Sequence, residues 1–160
     1  MDLNIVVFII VGFIAQIIDG ALGMAYGVSS NSFLLSIGIP PAAASASVHT
    51  AEVFTTFVSG VSHWKFGNVD KKLFKKLLIP GIIGGVLGAY VLTSIPGKTI
   101  KPFIGAYLLI MGLMILLKAF KKIKEKRVET KIIPLATAGG FFDAIGGGGW
   151  GPIVTSTLMA

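Results

Sequence analysis

Five long apolar runs dominate the sequence and constrain its fold more than any other feature. They cover approximately residues 5–37, 41–63, 77–95, 103–120 and 132–160. The second, third and fourth runs are close to the ~20 residues that a helix needs to cross a bilayer. Within lipid, only helices and closed barrels satisfy all of their backbone hydrogen bonds. We therefore expect an all-α fold, a polytopic integral membrane helix bundle that resides in the lipid bilayer.

The charge of the chain supports a membrane location and argues against a nucleic-acid partner. Charged residues make up 13% of the chain, compared with about 25% in soluble domains. The fourteen Lys and Arg residues give a net charge of +7, but they lie in three short clusters at residues 65–76, 98–101 and 118–131. A nucleic-acid interface needs a basic face on a soluble fold. The sequence contains no cysteine, and no motif in it indicates a cofactor.

The basic clusters also predict how the chain is oriented, because cytoplasmic loops of membrane proteins are enriched in Lys and Arg. The clusters at residues 65–76 and 118–131 flank the third and fourth runs, so we place both on the cytoplasmic side of the cell (inner) membrane. The first run leaves two alternatives open. A single crossing puts the N-terminus inside, and a broken hairpin puts it outside. No Lys or Arg precedes Lys65, which favours the outside.

A short amphipathic segment, DKKLFKKLLIP at residues 70–80, precedes the third span. Asp70 is predicted to cap the helix that follows it, because an aspartate side chain accepts hydrogen bonds from the first free N–H groups of a helix. The apolar and lysine faces of the segment predict that it lies at the membrane surface. Pro80 is predicted to lie in the first turn of the span, where its missing N–H is harmless.

Glycine-rich breaks interrupt the first and last apolar runs, and the two breaks resemble each other. The segment AQIIDGALGMAYGV at residues 15–28 aligns without gaps to GGFFDAIGGGGWGP at residues 139–152. The alignment pairs Asp19 with Asp143, Gly23 with Gly147, Gly27 with Gly151 and Tyr26 with Trp150. We interpret it as an internal repeat of inverted topology, a pattern typical of transporters. Residues 1–131 are the predicted first transmembrane repeat, and residues 132–160 the incomplete start of the second.

Each break combines an aspartate with glycines, and both residue types are unfavourable inside an apolar helix. Unwound backbone is tolerated in a membrane only where protein or a water-filled cavity satisfies it. The helix after each break is expected to direct free N–H groups and a positive dipole end toward an anion. The substrate-binding residues predicted here are Asp19, Gly23, Gly27, Asp143, Gly147 and Gly151. The alternative is structural, with glycines for close helix packing and aspartates as helix caps.

A polar face follows the second apolar run. Ser45, His49 and Glu52 are four and three residues apart, so they share one face of a helix. Ionisable groups in a span often mark ion or proton paths, and we assign these three residues to the substrate site, with His49 and Glu52 coupling proton movement to transport. The alternative is a structural polar pair that joins two helices. A metal site is not expected, because one histidine and one glutamate lack the usual ligand count.

Four segments resemble the N-terminal half of the TauE/SafE family of sulfite and organosulfur-anion exporters. They are GFIAQIIDGALGMAYGV, GIPPAAASASVHTAEVFTT, HWKFGNVDKK and IPGIIGGVLGAYV. The second glycine break resembles the start of that family's second half, so the resemblance covers nearly the whole chain. It implies a polytopic inner-membrane permease for small anions. It also implies functional weight on both glycine breaks, on His49 and on Glu52.

One difference from the family affects the functional interpretation. The resemblance implies two complete repeats, whereas this sequence stops at Ala160, inside the first element of the second repeat. We interpret the chain as a truncated or split member, whose site is completed by a second polypeptide or by a homo-oligomer.

Two functions remain open from the sequence. The first is a secondary membrane transporter that exports a small anion, sulfite or an organosulfonate. The second is a non-transporting membrane assembly subunit, or a truncated remnant of such a transporter. An enzyme is not expected, because the sequence offers neither a nucleophile–base arrangement nor a metal set.

Overall fold

The computed structural model describes residues 5–120 and 131–158, and all regular structure in those residues is helical. The helices are α1 (Ile5–Leu22), α2 (Tyr26–Ser36), α3 (Pro41–Lys65), α4 (Lys71–Ser94), α5 (Gly97–Ala119), α6 (Ile132–Gly146), a π-helical turn (Trp150–Thr155) and α7 (Ser156–Leu158). The expected all-α membrane helix bundle is confirmed.

Three of the described helices are long and apolar enough to cross a membrane, namely α1, α4 and α5. The second apolar run forms α3, which has 25 residues and is therefore also long enough to span. It is not among those three because serine, threonine, histidine and glutamate make it more polar than the others. The most polar long helix of the bundle is thus the one that carries Ser45, His49 and Glu52.

The first apolar run forms a broken hairpin rather than a single crossing. Phe8 near the start of α1 and Phe33 near the end of α2 line the same cavity of about 350 Å³. In a continuous helix these two residues would lie roughly 38 Å apart, because the rise is 1.5 Å per residue. The chain therefore reverses direction between α1 and α2, which is the alternative that predicted an external N-terminus.

The last apolar run reverses direction in the same way. A Cβ atom built on Gly139 of α6 would meet the side chain of Val154 in the π-helical turn. A continuous helix would separate these residues by roughly 22 Å. The structure therefore contains two helical hairpins, each with a glycine-rich break at its tip. The division of the chain into repeats at residue 131 stays a prediction.

Helices α4 and α6 form the closest helix pair. Cβ atoms built on Gly84 and Gly140 would meet the backbone carbonyl groups of Thr137 and Gly81, respectively. The two backbones are therefore in direct contact, which only glycine permits. This packing holds α6, and with it the second break, against the long apolar helix α4.

The apolar core lies between α2, α3 and α5. One face of α5 is buried along its whole length through Ile100, Ile104, Leu108, Met111 and Ile115, which recur at the spacing of a single helix face. Helix α1 differs, because most of its apolar side chains are exposed. The core therefore supports the two breaks from one side and leaves the surface of α1 uncovered.

Two details near α4 differ in their outcome. Asp70 caps α4, since its Oδ1 accepts hydrogen bonds from the N–H groups of Lys72 and Leu73 at 2.8 and 3.1 Å, and the prediction is confirmed. The prediction for Pro80 is wrong, because Pro80 lies inside α4. The amphipathic segment is continuous with the span and forms its first turns. Most of the predicted basic cluster at residues 118–131 lies outside the described residues.

Candidate functional site

The two glycine breaks have the same backbone conformation. Gly23 and Gly147 adopt left-handed φ angles of 73° and 72°, which L side chains adopt only with strain. Each glycine donates its N–H to the carbonyl of the aspartate four residues earlier, at 2.5 Å from Asp19 and 2.6 Å from Asp143. The αL residue ends the first helix of each hairpin, so the aligned positions have matching structural roles.

The two aspartate side chains also make matching hydrogen bonds. Each Oδ1 accepts from the two N–H groups that begin the next helical segment, six and seven residues further on. The donors are Ala25 (2.7 Å) and Tyr26 (3.0 Å) for Asp19, and Gly149 (3.0 Å) and Trp150 (3.3 Å) for Asp143. Each aspartate therefore bridges its own break and caps the helix that follows it.

These caps change the expectation for anion binding. The sequence predicted that each helix after a break would direct free N–H groups toward an anion. In the structure, two of those N–H groups at each break donate to Asp19 or to Asp143. The structural alternative, an aspartate cap, therefore describes the Oδ1 atom of both residues. The positive end of each helix dipole is partly compensated by the same carboxylate.

The tips of the two hairpins meet in a reciprocal contact. A Cβ atom on Gly27 would lie 2.8 Å from Cα of Gly147, and one on Gly151 would lie 2.8 Å from Cα of Met24. In repeat numbering, position 27 of one break contacts position 23 of the other, and its equivalent Gly151 contacts the neighbour of position 23. Reciprocal contacts of this kind are what a two-fold axis produces. The two breaks are thus related as expected for an inverted repeat.

Helix α3 binds the end of α6 through its polar face. The Ser45 hydroxyl donates to the carbonyl of Ala144 at 2.6 Å, and Nε2 of His49 lies 3.1 Å from the carbonyl of Asp143. Carbonyls in the last turn of a helix lack partners within the helix. Ser45 and His49 satisfy two of them at the second break, and this contact joins segments 94 and 99 residues apart in the chain.

His49 and Glu52 share a proton. Because the carbonyl of Asp143 can only accept a hydrogen bond, Nε2 of His49 must carry a hydrogen. Nδ1 of the same ring lies 2.8 Å from Oε2 of Glu52. A hydrogen bond at that distance needs one further proton, either on the ring or on the carboxyl group. The pair therefore holds one proton more than a neutral histidine and a free carboxylate.

A polar cavity of about 340 Å³ opens beside the two breaks. Seven of the nine predicted site residues line it, namely Asp19, Gly23, Gly27, Glu52, Asp143, Gly147 and Gly151. The other two, Ser45 and His49, stand behind the wall and position it through the contacts described above. The structure thus brings the predicted residues together, while their role in substrate binding stays a prediction.

Further polar residues line this cavity that the sequence analysis did not assign. Thr55, Thr56 and Ser59 lie on α3, and Gln16 and Thr155 come from α1 and the π-helical turn. The signal for the α3 residues was present, because residues 45, 49, 52, 56 and 59 recur every three or four positions and form one helix face. Gln16 and Thr155 give no comparable pattern, since their places depend on how the hairpins fold.

The charge of the cavity is unusual for an anion site. Three carboxylates line it, from Asp19, Glu52 and Asp143, and none of the described residues lining it is a lysine or arginine. One atom each of His49, Glu52 and Asp143 lies within 4.8 Å of the others. Like charges this close in a partly dehydrated cavity repel each other strongly, so the cluster requires a bound positive charge.

Comparisons with known proteins identify the family. The sequence profile described as "Sulfite exporter TauE/SafE" matches residues 8–160. The chain is also similar to the "Probable membrane transporter protein YtnM" of Bacillus subtilis (strain 168), with 51% identity over 164 residues that cover 98% of this chain and 55% of that relative. The chain therefore spans about half the length of the curated relative it matches. None of the solved structures compared with the chain matches it. The family profile covers almost the whole chain and the similarity to the relative is high, so the chain belongs to the TauE/SafE family.

Proposed function

We propose that the chain is part of a secondary transporter that exports a small anion, sulfite or an organosulfonate, across the cell (inner) membrane. The observation that carries the proposal is the meeting of two glycine-broken hairpins at a polar cavity inside an apolar helix bundle. Broken helices of two inverted repeats that meet at a shared site are the usual arrangement in secondary transporters. The printed family description, "Sulfite exporter TauE/SafE", supports the substrate class.

The cavity suits transport better than catalysis. Its wall combines hydroxyl groups, carboxylates and backbone at the breaks, all of which bind a polar solute reversibly. The described residues that line it hold no serine or threonine paired with a histidine base, an arrangement that nucleophilic catalysis requires. We therefore infer a transport site rather than an active site.

Proton coupling is the second part of the proposal. The proton shared by His49 and Glu52 lies at the wall of the cavity, and Glu52 is one of the lining residues. Entry of an anion beside Asp19 and Asp143 is repulsive unless positive charge enters with it. A proton bound at this pair lowers that repulsion, so an anion and a proton would cross together.

We infer that further membrane helices complete the transporter, from a longer chain, from a second copy or from a partner polypeptide. Helix α1 supports this inference, because Phe13 and Ile17 on its surface are 66% and 57% exposed. Their equivalents in the second hairpin are Thr137 and Phe141, whose backbone is covered by Gly84 and Gly88 of α4. The part of α1 that corresponds to the α4 contact is therefore uncovered.

Flux through reconstituted protein tests the proposal. The full chain, with and without the longer relative as a positive control, is incorporated into liposomes loaded with sulfite, and efflux is measured with and without a proton gradient. We expect saturable efflux that responds to the gradient. Thr56→Val is expected to lower the flux, because Thr56 lines the cavity.

A matched control variant is Thr50→Val. Thr50 lies on the same helix and donates to a carbonyl of its own helix, as Thr56 does, but it is exposed and does not line this cavity. Equal flux in both variants would show that the cavity is not the transport path. Absence of efflux for every anion tested, while the relative transports, would favour the assembly-subunit alternative.

A further inference from the structure

We propose that His49, Glu52 and Asp143 bind a divalent transition-metal cation at the wall of the cavity. The binding itself does not depend on the proposed transport function. Its role does, because the cation would supply the positive charge that an anion needs to enter a cavity lined by three carboxylates.

Three potential ligand atoms converge from two helices. They are an imidazole nitrogen of His49, a carboxylate oxygen of Glu52 and a carboxylate oxygen of Asp143, all within 4.8 Å of one another. Ligands at about 2.0–2.2 Å from one ion are separated from each other by distances of this order. Three protein ligands with open positions toward a cavity are typical of metal sites that bind a further molecule. Asp143 is distant in sequence, so the sequence alone showed two ligands.

The hydrogen bonds around the cluster leave the right atoms free. Nε2 of His49 donates to the carbonyl of Asp143 at 3.1 Å, which directs the lone pair of Nδ1 toward Glu52. Metal-binding histidines usually donate their other N–H to a carbonyl or carboxylate in this way. Oδ1 of Asp143 accepts from the N–H groups of Gly149 and Trp150, so the side chain is fixed in place and Oδ2 is available for a ligand bond.

The charge balance also favours a divalent cation. Two carboxylates and one neutral imidazole neutralise a charge of +2 without a remaining net charge in the ligand set. A single proton on the His49–Glu52 pair leaves one net negative charge. Binding replaces the shared proton, so one proton leaves for each cation bound. The open positions of the ion face the cavity, where the hydroxyl of Thr56 and the carboxylate of Asp19 also lie.

Mn²⁺ is the probe for the first test, because its electron paramagnetic resonance signal reports both binding and ligand type. The purified full chain is freed of metal with a chelator and titrated with MnCl₂. We expect one bound ion per chain and a nitrogen coupling from the imidazole of His49. Stoichiometric binding without nitrogen coupling, or no saturable binding of Mn²⁺ or Zn²⁺, would overturn the proposal.

The internal repeat offers a matched control for the second test. Asp19→Asn and Asp143→Asn change equivalent caps, with the same two backbone hydrogen bonds, but only Asp143 belongs to the ligand cluster. We expect Asp143→Asn to weaken Mn²⁺ binding by about tenfold or more and Asp19→Asn to leave it unchanged. Equal losses in both variants would assign the effect to the caps and refute the site.

Glu52→Gln keeps the test decisive if Asp143→Asn does not fold. The only hydrogen bond recorded for the Glu52 side chain within the described residues is that with His49, and its removal leaves the helix contacts intact. We expect about a tenfold or greater loss of Mn²⁺ affinity. Sulfite efflux measured with and without chelator separates the two proposals. Efflux that persists without metal refutes only the counter-charge role, and Mn²⁺ binding without efflux refutes only transport.

Discussion

The contact between Gly27 and Gly147 makes a quantitative prediction for the substitution Gly27→Ala. The added Cβ would lie 2.7 Å from the carbonyl carbon of Gly147 and 2.8 Å from its Cα. Carbon atoms in ordinary contact are about 3.5–4.0 Å apart, so the two hairpin tips must separate by roughly 1 Å. The obstructing atoms belong to the backbone and have no rotamer that would relieve the clash.

The expected cost follows from two opposing effects. Overpacking of this kind costs about 1–3 kcal/mol, and we use the upper value because backbone must move. Alanine in place of glycine in a helix returns about 0.5–1 kcal/mol. The net destabilisation is therefore about 2 kcal/mol, which lowers the melting temperature of a chain of this size by roughly 4–8 °C.

Three further alanine variants separate the clash from backbone strain. Gly60 lies on α3 with no atom within 4 Å of an added Cβ, so Gly60→Ala is expected to raise stability by up to about 1 kcal/mol. Gly23→Ala meets no atom either but has a φ angle of 73°, which costs about 1–2 kcal/mol. Gly147→Ala combines a positive φ angle with the clash, and we expect it to be the least stable.

Thermal unfolding in detergent, followed by tryptophan fluorescence, measures this series. Trp150 follows the second break, so its emission responds to loss of the contact. The expected order of melting temperatures is Gly60→Ala highest, then the wild type, then Gly23→Ala and Gly27→Ala, then Gly147→Ala. A Gly27→Ala protein as stable as Gly60→Ala would refute the contact between the hairpin tips.

Three more predictions concern the packing around the site. Ser45→Ala removes a hydrogen bond to a carbonyl of α6 and is expected to cost about 1 kcal/mol in thermal unfolding, whereas Ser47→Ala, whose hydroxyl binds its own helix on the surface, should cost little. Gly84→Ala places a Cβ against the α6 backbone and should lower the melting temperature more than Gly85→Ala, whose Cβ has no neighbour closer than 3.9 Å. The hydrogen bonds from Leu73 and Lys72 lower the pKa of Asp70 from its ordinary 3.8, so the cap stabilises the protein above that pH and the contribution is lost as the pH falls through the lower folded-state pKa. Asp70→Asn should therefore melt below the wild type at pH 7, and the difference should shrink at pH 3; a constant difference would contradict this explanation.

Sequence patterns predicted the parts of the fold that depend on local physics. Apolar length predicted the helices, and the aspartate and glycines at each break predicted where the first and last runs are interrupted. The alignment of residues 15–28 with residues 139–152 anticipated equal roles for Asp19 and Asp143, and their matching hydrogen bonds agree with it. These features need only a few consecutive residues, so they can be recognised without knowledge of tertiary contacts.

The parts that failed depend on contacts between distant segments. The N–H groups after each break were expected to be free, but the aspartate of the same break reaches them because the left-handed glycine folds the chain back. Asp143 was assigned to an anion site, and its approach to His49 across 94 residues gives the cluster a different chemistry. Pro80 was placed at a helix start, because no local signal shows that the preceding lysine-rich turns and the span form one helix.

The contact between the hairpin tips also has a consequence for biosynthesis. Gly147 follows Gly27 by 120 residues, and ribosomes add about 5–20 residues per second, so the first hairpin waits roughly 6–24 s for its partner. During that interval its unwound backbone lies in the membrane without the second break. Asp19 already supplies two of the missing acceptors from within the same hairpin. The cap therefore lets the first hairpin persist during insertion, and translation that stops before the second break would leave a half-site that is folded locally but has nothing to close it.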